Sequence, residues 1–177
     1  MSESTAPSNA FIAVGANIDP EQNIPRALDI LAREVQIVGI STFYITPALG
    51  RPEQSDYRNG VVDINTAHPP RDLKQNILRP IEAKLGRVRQ NDKYAARPID
   101  LDILLHGEHV LHTGEIQLPD PDLYTRIFLA APLLELRPTL VLPGKCGPLA
   151  ALPILQQPNA MKSAKALTTL LKERYLP

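Results

Sequence analysis

Asp100 and Asp102 stand two residues apart in "RPIDLDILLHG", within an apolar run and just after Arg97. Ile99, Leu101, Ile103 and Leu105 alternate with them, which is the period of a half-buried strand. Side chains two apart on a strand share a face and lie about 6.6 Å apart along the backbone. Two bare carboxylates there repel each other and raise each other's pKa. A divalent cation removes the conflict, because hard Mg²⁺ prefers oxygen ligands and keeps waters beside one or two carboxylates. A solvated strand edge explains the same pair equally simply when it is taken alone.

Cations precede the acids. Arg87, Arg89, Lys93 and Arg97 fall in a polar segment ahead of Asp100, not at helical spacing. Metal-holding acids with arginines around them suit a polyphosphate, whose charge both can share. A basic surface loop is the plainer reading of those four residues. No phosphate loop of the G-x-x-x-x-G-K-[ST] type, no G-x-G-x-x-G, no H-E-x-x-H and no G-x-S-x-G occurs. His68, His106, His109 and His112 read as surface-turn residues.

The elements that must hold these groups follow from pattern. "AFIAVGAN" reads as a strand. The next segment starts a helix, with Asp19 as N-cap, Pro20 at the first helical position and Gln22 completing a capping box. Residues 36–46 form a β-rich run, 47–56 a glycine- and proline-containing loop and 57–66 a strand. Leu73, Ile77, Ile81 and Leu85 mark a helix ending at Gly86, with a kink expected at Pro80. A polar loop, 87–98, leads into the acidic strand. The order β-α-β-β-α-β predicts an α+β fold, a ferredoxin-like antiparallel sheet with helices on one face. A helical stretch after "LPDPDLYTR" and a last helix over about 159–174 add C-terminal helices. Residues 1–9 read as a disordered lead-in and 10–177 as one domain.

Composition narrows the class. Nineteen basic and nineteen acidic residues give no net field toward nucleic acid or membrane. A nucleic-acid platform on such a sheet also needs exposed aromatics on its central strands, and neither "FIAVGAN" nor "PIDLDILL" supplies them. Cys146 is the only cysteine, so no internal disulfide forms. No run is long and apolar enough for a membrane span, and a cytoplasmic protein is expected.

Six segments, in order, resemble the 6-hydroxymethyl-7,8-dihydropterin pyrophosphokinase family: "FIAVGANI", "STFYITPALG", "DYRNGVVDINT", "IEAKLGRVR", "RPIDLDILL" and "LPDPDLYTRIFLAAPLLEL". The resemblance covers about residues 10–145. It implies pyrophosphate transfer from ATP to a pterin alcohol, with two Mg²⁺ ions as cofactors and a monomeric enzyme. It implies that Asp100 and Asp102 hold the metals, and that Arg87 and Arg97 clamp the phosphates and assist transfer. Glu82, Arg89, Arg126 and the backbone at Ile103 fall on ATP-side positions. Tyr57 and Phe128 fall where two aromatics sandwich the pterin, with Asn59 and the stretch containing Thr46, Pro47 and Leu49 at its edge. A flat heteroaromatic ring independently asks for aromatic faces and a few polar groups at its rim.

The chain departs from the family's pattern on the phosphate side. Ala95-Ala96-Arg97 replaces a usual G-P-R, and Leu118-Pro119-Asp120-Pro121 replaces L-P-H-P. Gln90 stands where a basic residue is common, and Glu115 is a further acid. A carboxylate at 120 in place of an imidazole should repel a triphosphate unless a cation meets it. A paralogue with another pterin alcohol or nucleotide, or a weakly catalytic pterin- or nucleotide-binding module, shares most of these features.

Overall fold

The structure is a computed structural model describing residues 7–88, 91–92, 94–144, 146–158 and 160–177. Arg89, Gln90 and Lys93 lie outside the described residues. Strand β1, Ser8–Ala16, takes in two residues that the sequence assigns to the lead-in. It runs along the middle of the main sheet, antiparallel to β4 (Tyr57–Thr66) on one side and β5 (Asp100–His106) on the other.

The β-rich run is two strands. β2, Gln36–Ile40, and β3, Tyr44–Thr46, both pair with β4, and the chain steps between them at Ser41–Phe43. Phe43, fully buried, fills the place left by Gly60, where a Cβ would collide with its ring. Main-sheet order is therefore β2/β3, β4, β1, β5, all neighbours antiparallel.

Helix α1 spans Pro20–Leu31 and buries Ile24, Leu28 and Leu31. Its start differs from the expected capping box. Asp19 sits in left-handed backbone (φ 41°), and its side chain caps nothing. Its carbonyl instead accepts from Gln22 and Asn23 N–H, while the Asn23 side chain donates to the Ile18 carbonyl at 2.8 Å. Helix α2 is continuous through Pro80: a first turn Pro70–Asp72, a π-helical stretch Leu73–Leu78 and an α segment Arg79–Lys84. Proline lacks the N–H that an α-helical ladder needs, and a wide i→i+5 stretch just before it absorbs the mismatch. Gly86, at φ 87°, ends the helix in the left-handed region as its residue type suggests.

Both faces of the sheet are covered, not one. Ile12, Val14, Leu101 and Ile103 pack with α1 and α2, while Phe11, Val61, Leu104 and Leu105 pack with α3, Ile127–Leu136. The turn Pro121–Tyr124 leads into α3, and short hairpins (β6, Leu111–His112, with β7, Gln117–Leu118; β8, Val141–Leu142, with β9, Gly147–Pro148) flank it. The final helix, α4, is Lys165–Tyr175 and starts later than expected. Lys162–Ser163 is spent as strand β10 against β3, and Thr168 Oγ1 then accepts the Phe43 N–H at 2.9 Å. Tyr175 closes the tail onto α1, donating to Asp29 at 2.7 Å, away from the acidic strand. No helix among the described residues is long and apolar enough to cross a membrane.

Candidate active site

Register brings the chemistry to one end of the sheet. Gly15 of β1 pairs with Asn59 on one side and Asp100 on the other, and Ala13 pairs with Asp102. Strands lie about 4.8 Å apart, so the polar edge of an aromatic slot and the first carboxylate are separated by one glycine-bearing strand. They open into one cavity of about 410 Å³. Thr46, Pro47, Leu49, Tyr57, Asn59 and Phe128 line it together with Arg97, Asp100, Asp102 and Arg126.

Gly15 keeps that cavity open. A Cβ there would collide with the Asn59 amide oxygen, and Asn59 is otherwise fixed by donating to Thr46 Oγ1 at 2.7 Å. A glycine inside a strand signals close approach of another group, and this one was missed as a site residue. Gly15→Ala is expected to push Asn59 into the cavity and to weaken binding of the pterin that the family resemblance implies by about tenfold or more, with an unchanged circular dichroism spectrum. Fluorescence titration with a pterin checks it, and unaltered affinity would remove Asn59 from the site.

Asp100 is held by two arginines. Arg87 Nη1 donates to one oxygen and Arg97 Nη1 to the other. Arg87 also donates to Glu82, whose same carboxylate oxygen accepts the Leu101 N–H at 2.8 Å. Glu82 is 2% exposed and does not line the cavity; it fixes Arg87 and the strand from behind. Ile103 likewise buries its side chain in the core, so only its backbone is available to a ligand. Asp102, by contrast, has its carboxyl pushed up to about 7, by burial first and then by the charge of Asp100.

Asp102 is thus a carboxylate in surroundings that disfavour its charge, beside a second carboxylate on the same face. That is the electrostatic condition that a divalent cation relieves. The described residues contain no group of three His, Cys, Asp or Glu able to enclose an ion. Two carboxylates with room for waters and phosphate oxygens suit Mg²⁺ well.

Two loops wall the cavity and are tied to each other. Asn17 accepts the Arg97 N–H at 2.7 Å and donates to Gln54 Oε1 at 3.1 Å, and Gln54 donates to the Tyr94 carbonyl at 2.9 Å. Arg51 pairs with Asp92 at 2.6 Å. Asn17 and Gln54 were not singled out from the sequence, because a polar residue in a loop carries no signal of its partner. Arg97 keeps its aim at Asp100 although Ala95-Ala96 precedes it. Asp120 lines the cavity and caps the following turn, accepting the Asp122 N–H at 2.8 Å. Glu115 lies outside the cavity, 3.6 Å from Arg71. His106 is not a surface residue: it is buried at the end of β5, with Nε2 2.9 Å from the His68 carbonyl.

Comparison with known proteins decides the family. The model of the 7,8-dihydro-6-hydroxymethylpterin-pyrophosphokinase (HPPK) family matches residues 11–138. The chain belongs to the HPPK family. It is 38% identical over 136 residues to the 2-amino-4-hydroxy-6-hydroxymethyldihydropteridine pyrophosphokinase of Pseudomonas aeruginosa, covering 75% of this chain and 83% of that one. The enzyme of the same name from Haemophilus influenzae is 36% identical over 138 residues, covering 76% and 85%. Among solved structures, an HPPK-DHPS of Plasmodium falciparum with pteroate superposes with a TM-score of 0.64 at 12% identity, over 98% of this chain. This chain spans 45% of that longer protein, and the likeness is one of fold. The matched span, residues 11–138, contains Asp100, Asp102, Arg87, Arg97, Tyr57 and Phe128.

Proposed function

We propose that the chain transfers pyrophosphate from ATP to 6-hydroxymethyl-7,8-dihydropterin, giving the pterin diphosphate and AMP. One observation carries this reading: the register of β1 sets an aromatic slot and a carboxylate pair on either side of Gly15, in one cavity. The strand order fits a ferredoxin-like arrangement with added C-terminal elements, over residues 10–177 as one domain. We take the chain to act as a monomer in the cytoplasm.

Tyr57 and Phe128 would hold the pterin ring between their faces, with Asn59 and Thr46 reading its edge. That places the hydroxymethyl group toward Asp100 and Asp102. Two Mg²⁺ ions held by these carboxylates would supply Lewis-acid stabilisation of charge on the phosphates. The hydroxymethyl oxygen forms a bond to the β-phosphorus as the bond from that phosphorus to the α–β bridging oxygen breaks; AMP departs with that oxygen, and the hydroxyl proton passes to solvent. Arg97, at the cavity wall, and Arg87, which reaches Asp100 from outside the lining, would take up charge that spreads over the transferred group, and Arg126, also in the lining, would meet the nucleotide. We assign Arg89 to the nucleotide as well, from the family pattern alone. Such a transfer depends on positioning more than on a strong base. The tied loops exclude water, which protects ATP from hydrolysis.

The test combines ATP, Mg²⁺ and the pterin alcohol, with AMP measured by chromatography and the pterin product by mass. Stoichiometric AMP and pterin diphosphate are the expected products. Asp120 favours one other reading, a relative with a different donor or acceptor. Pterin binding without AMP release would select it.

A further inference from the structure

Arg97 reaches Asp100 from a segment whose own residues leave it loose. Ala95 and Ala96 precede it where the family usually has glycine and proline, and alanine does not lock φ as proline does. The partner of its guanidinium does not set the course of its main chain either, because Asp100 accepts from Arg87 as well. The backbone at Arg97 needs a hold of its own.

Asn17, directly after β1, provides it. Its side-chain oxygen accepts the Arg97 N–H at 2.7 Å, and its own N–H donates to the Arg97 carbonyl at 3.1 Å. The Ile18 N–H donates to that same carbonyl at 3.2 Å. Both main-chain groups of Arg97 are therefore engaged from the end of β1, three residues before β5 begins. The amide nitrogen of Asn17 is held in turn, donating to Gln54 Oε1 at 3.1 Å and to the Ser55 carbonyl at 3.2 Å. Asn17 is 5% exposed, so it cannot swing aside without leaving buried polar groups unpaired. It does not line the cavity, whereas Arg97 and Gln54 do. Asn17 can act on a substrate only through the residues it holds.

We propose that Asn17 is a positioning residue for pyrophosphate transfer: it fixes the main chain of Arg97 and so aims the guanidinium at the phosphates beside Asp100. The proposal rests on the reaction proposed above for this site. A guanidinium stabilises developing charge best when its place is set in advance, and a misplacement of about 1 Å can cost on the order of a hundredfold in rate.

The experiment is single-turnover transfer from ATP with Mg²⁺ to 6-hydroxymethyl-7,8-dihydropterin, at saturation, beside amide exchange at Arg97 followed by NMR. Asn17→Ala is expected to slow transfer about thirtyfold and to expose the Arg97 N–H to exchange. Affinity for an ATP analogue whose α and β phosphates are joined by a methylene group should stay within about threefold. In an Arg97→Ala background the same Asn17→Ala change should cost less than about threefold, the non-additivity of a residue that works through another. Asn17→Asp keeps the accepting oxygen and gives up the two bonds to loop 47–56. Its transfer rate should stay within about fivefold of the unsubstituted chain, with the Arg97 N–H still protected. A full rate in Asn17→Ala, or an equal loss in both backgrounds, would overturn positioning through Arg97. So would an Asn17→Asp loss as large as that of Asn17→Ala with the Arg97 N–H protected, which would move the effect to loop 47–56. No transfer by the unsubstituted chain, with the Arg97 N–H protected, would overturn the reaction proposed for the site and this role with it.

Discussion

At pH 8 and without metal, Asp102→Asn is expected to melt at a higher temperature than the unsubstituted chain, and with Mg²⁺ present to have lost turnover by about a thousandfold or more. The two effects share one cause. Burial and Asp100 push the Asp102 carboxyl up to about 7, from an ordinary value near 3.8. The folded chain therefore holds this proton more tightly than the unfolded chain does. Stability from the group is fully present below about pH 4, falls as pH rises through about 7, and stays low above that. Asparagine resembles the protonated carboxyl at every pH. At pH 8 it should recover a gap on the order of a few kcal/mol, and at pH 4 almost none.

Mg²⁺ separates this from an ordinary repair of a strained core. The unsubstituted chain should gain melting temperature on addition of the ion, the more so above pH 7, where no proton has to leave. The variant should gain little. Melting curves at pH 4 and pH 8, each with and without Mg²⁺, give all four values. A destabilised variant at pH 8, or one with near-normal turnover, would show that Asp102 serves the fold and not a metal.

The acidic strand was legible because its two acids break an apolar alternation, and that alternation also gave the face they share. The slot was legible only through the family resemblance, since an aromatic at a loop junction is as often core as binding surface. Its mutual placement was not legible. That depends on the pairing of Gly15 with Asn59 and Asp100, and one sequence states no register between strands far apart in the chain. Glu82 shows the converse. Its family position is nucleotide-side, yet burial makes it a support for Arg87. Helix α1 was found from its apolar spacing, but its start was misread, because left-handed Asp19 offers its carbonyl where a capping side chain was expected. The second covered face escaped notice because Asp100 and Asp102 made their side of β5 look wet, whereas Leu104 on that side packs under α3.

The two arginines on Asp100 should respond differently to loss. Arg97 lies on the loop before β5, its side chain 25% exposed, and its guanidinium meets Asp100 at the cavity wall. Arg97→Ala is expected to reduce turnover by about a hundredfold or more while shifting the melting temperature little, since Asp100 keeps Arg87 as a partner. Arg87 is more enclosed, its side chain 12% exposed, and bridges Asp100 to the buried Glu82. Arg87→Ala takes the Arg87 cation away from the buried Glu82 carboxylate, and breaking a buried pair from one side costs about 3–5 kcal/mol. That variant should lose both turnover and many degrees of melting temperature. Adding Glu82→Gln to Arg87→Ala removes that buried charge, so stability should return in large part while turnover does not. Calorimetric melting of the three variants beside a steady-state assay reads both effects. Equal stability losses for Arg87→Ala and Arg97→Ala would mean that Glu82 is not the buried anchor described here. Recovery of turnover in the double variant would remove Arg87 from the chemistry and leave it a structural residue.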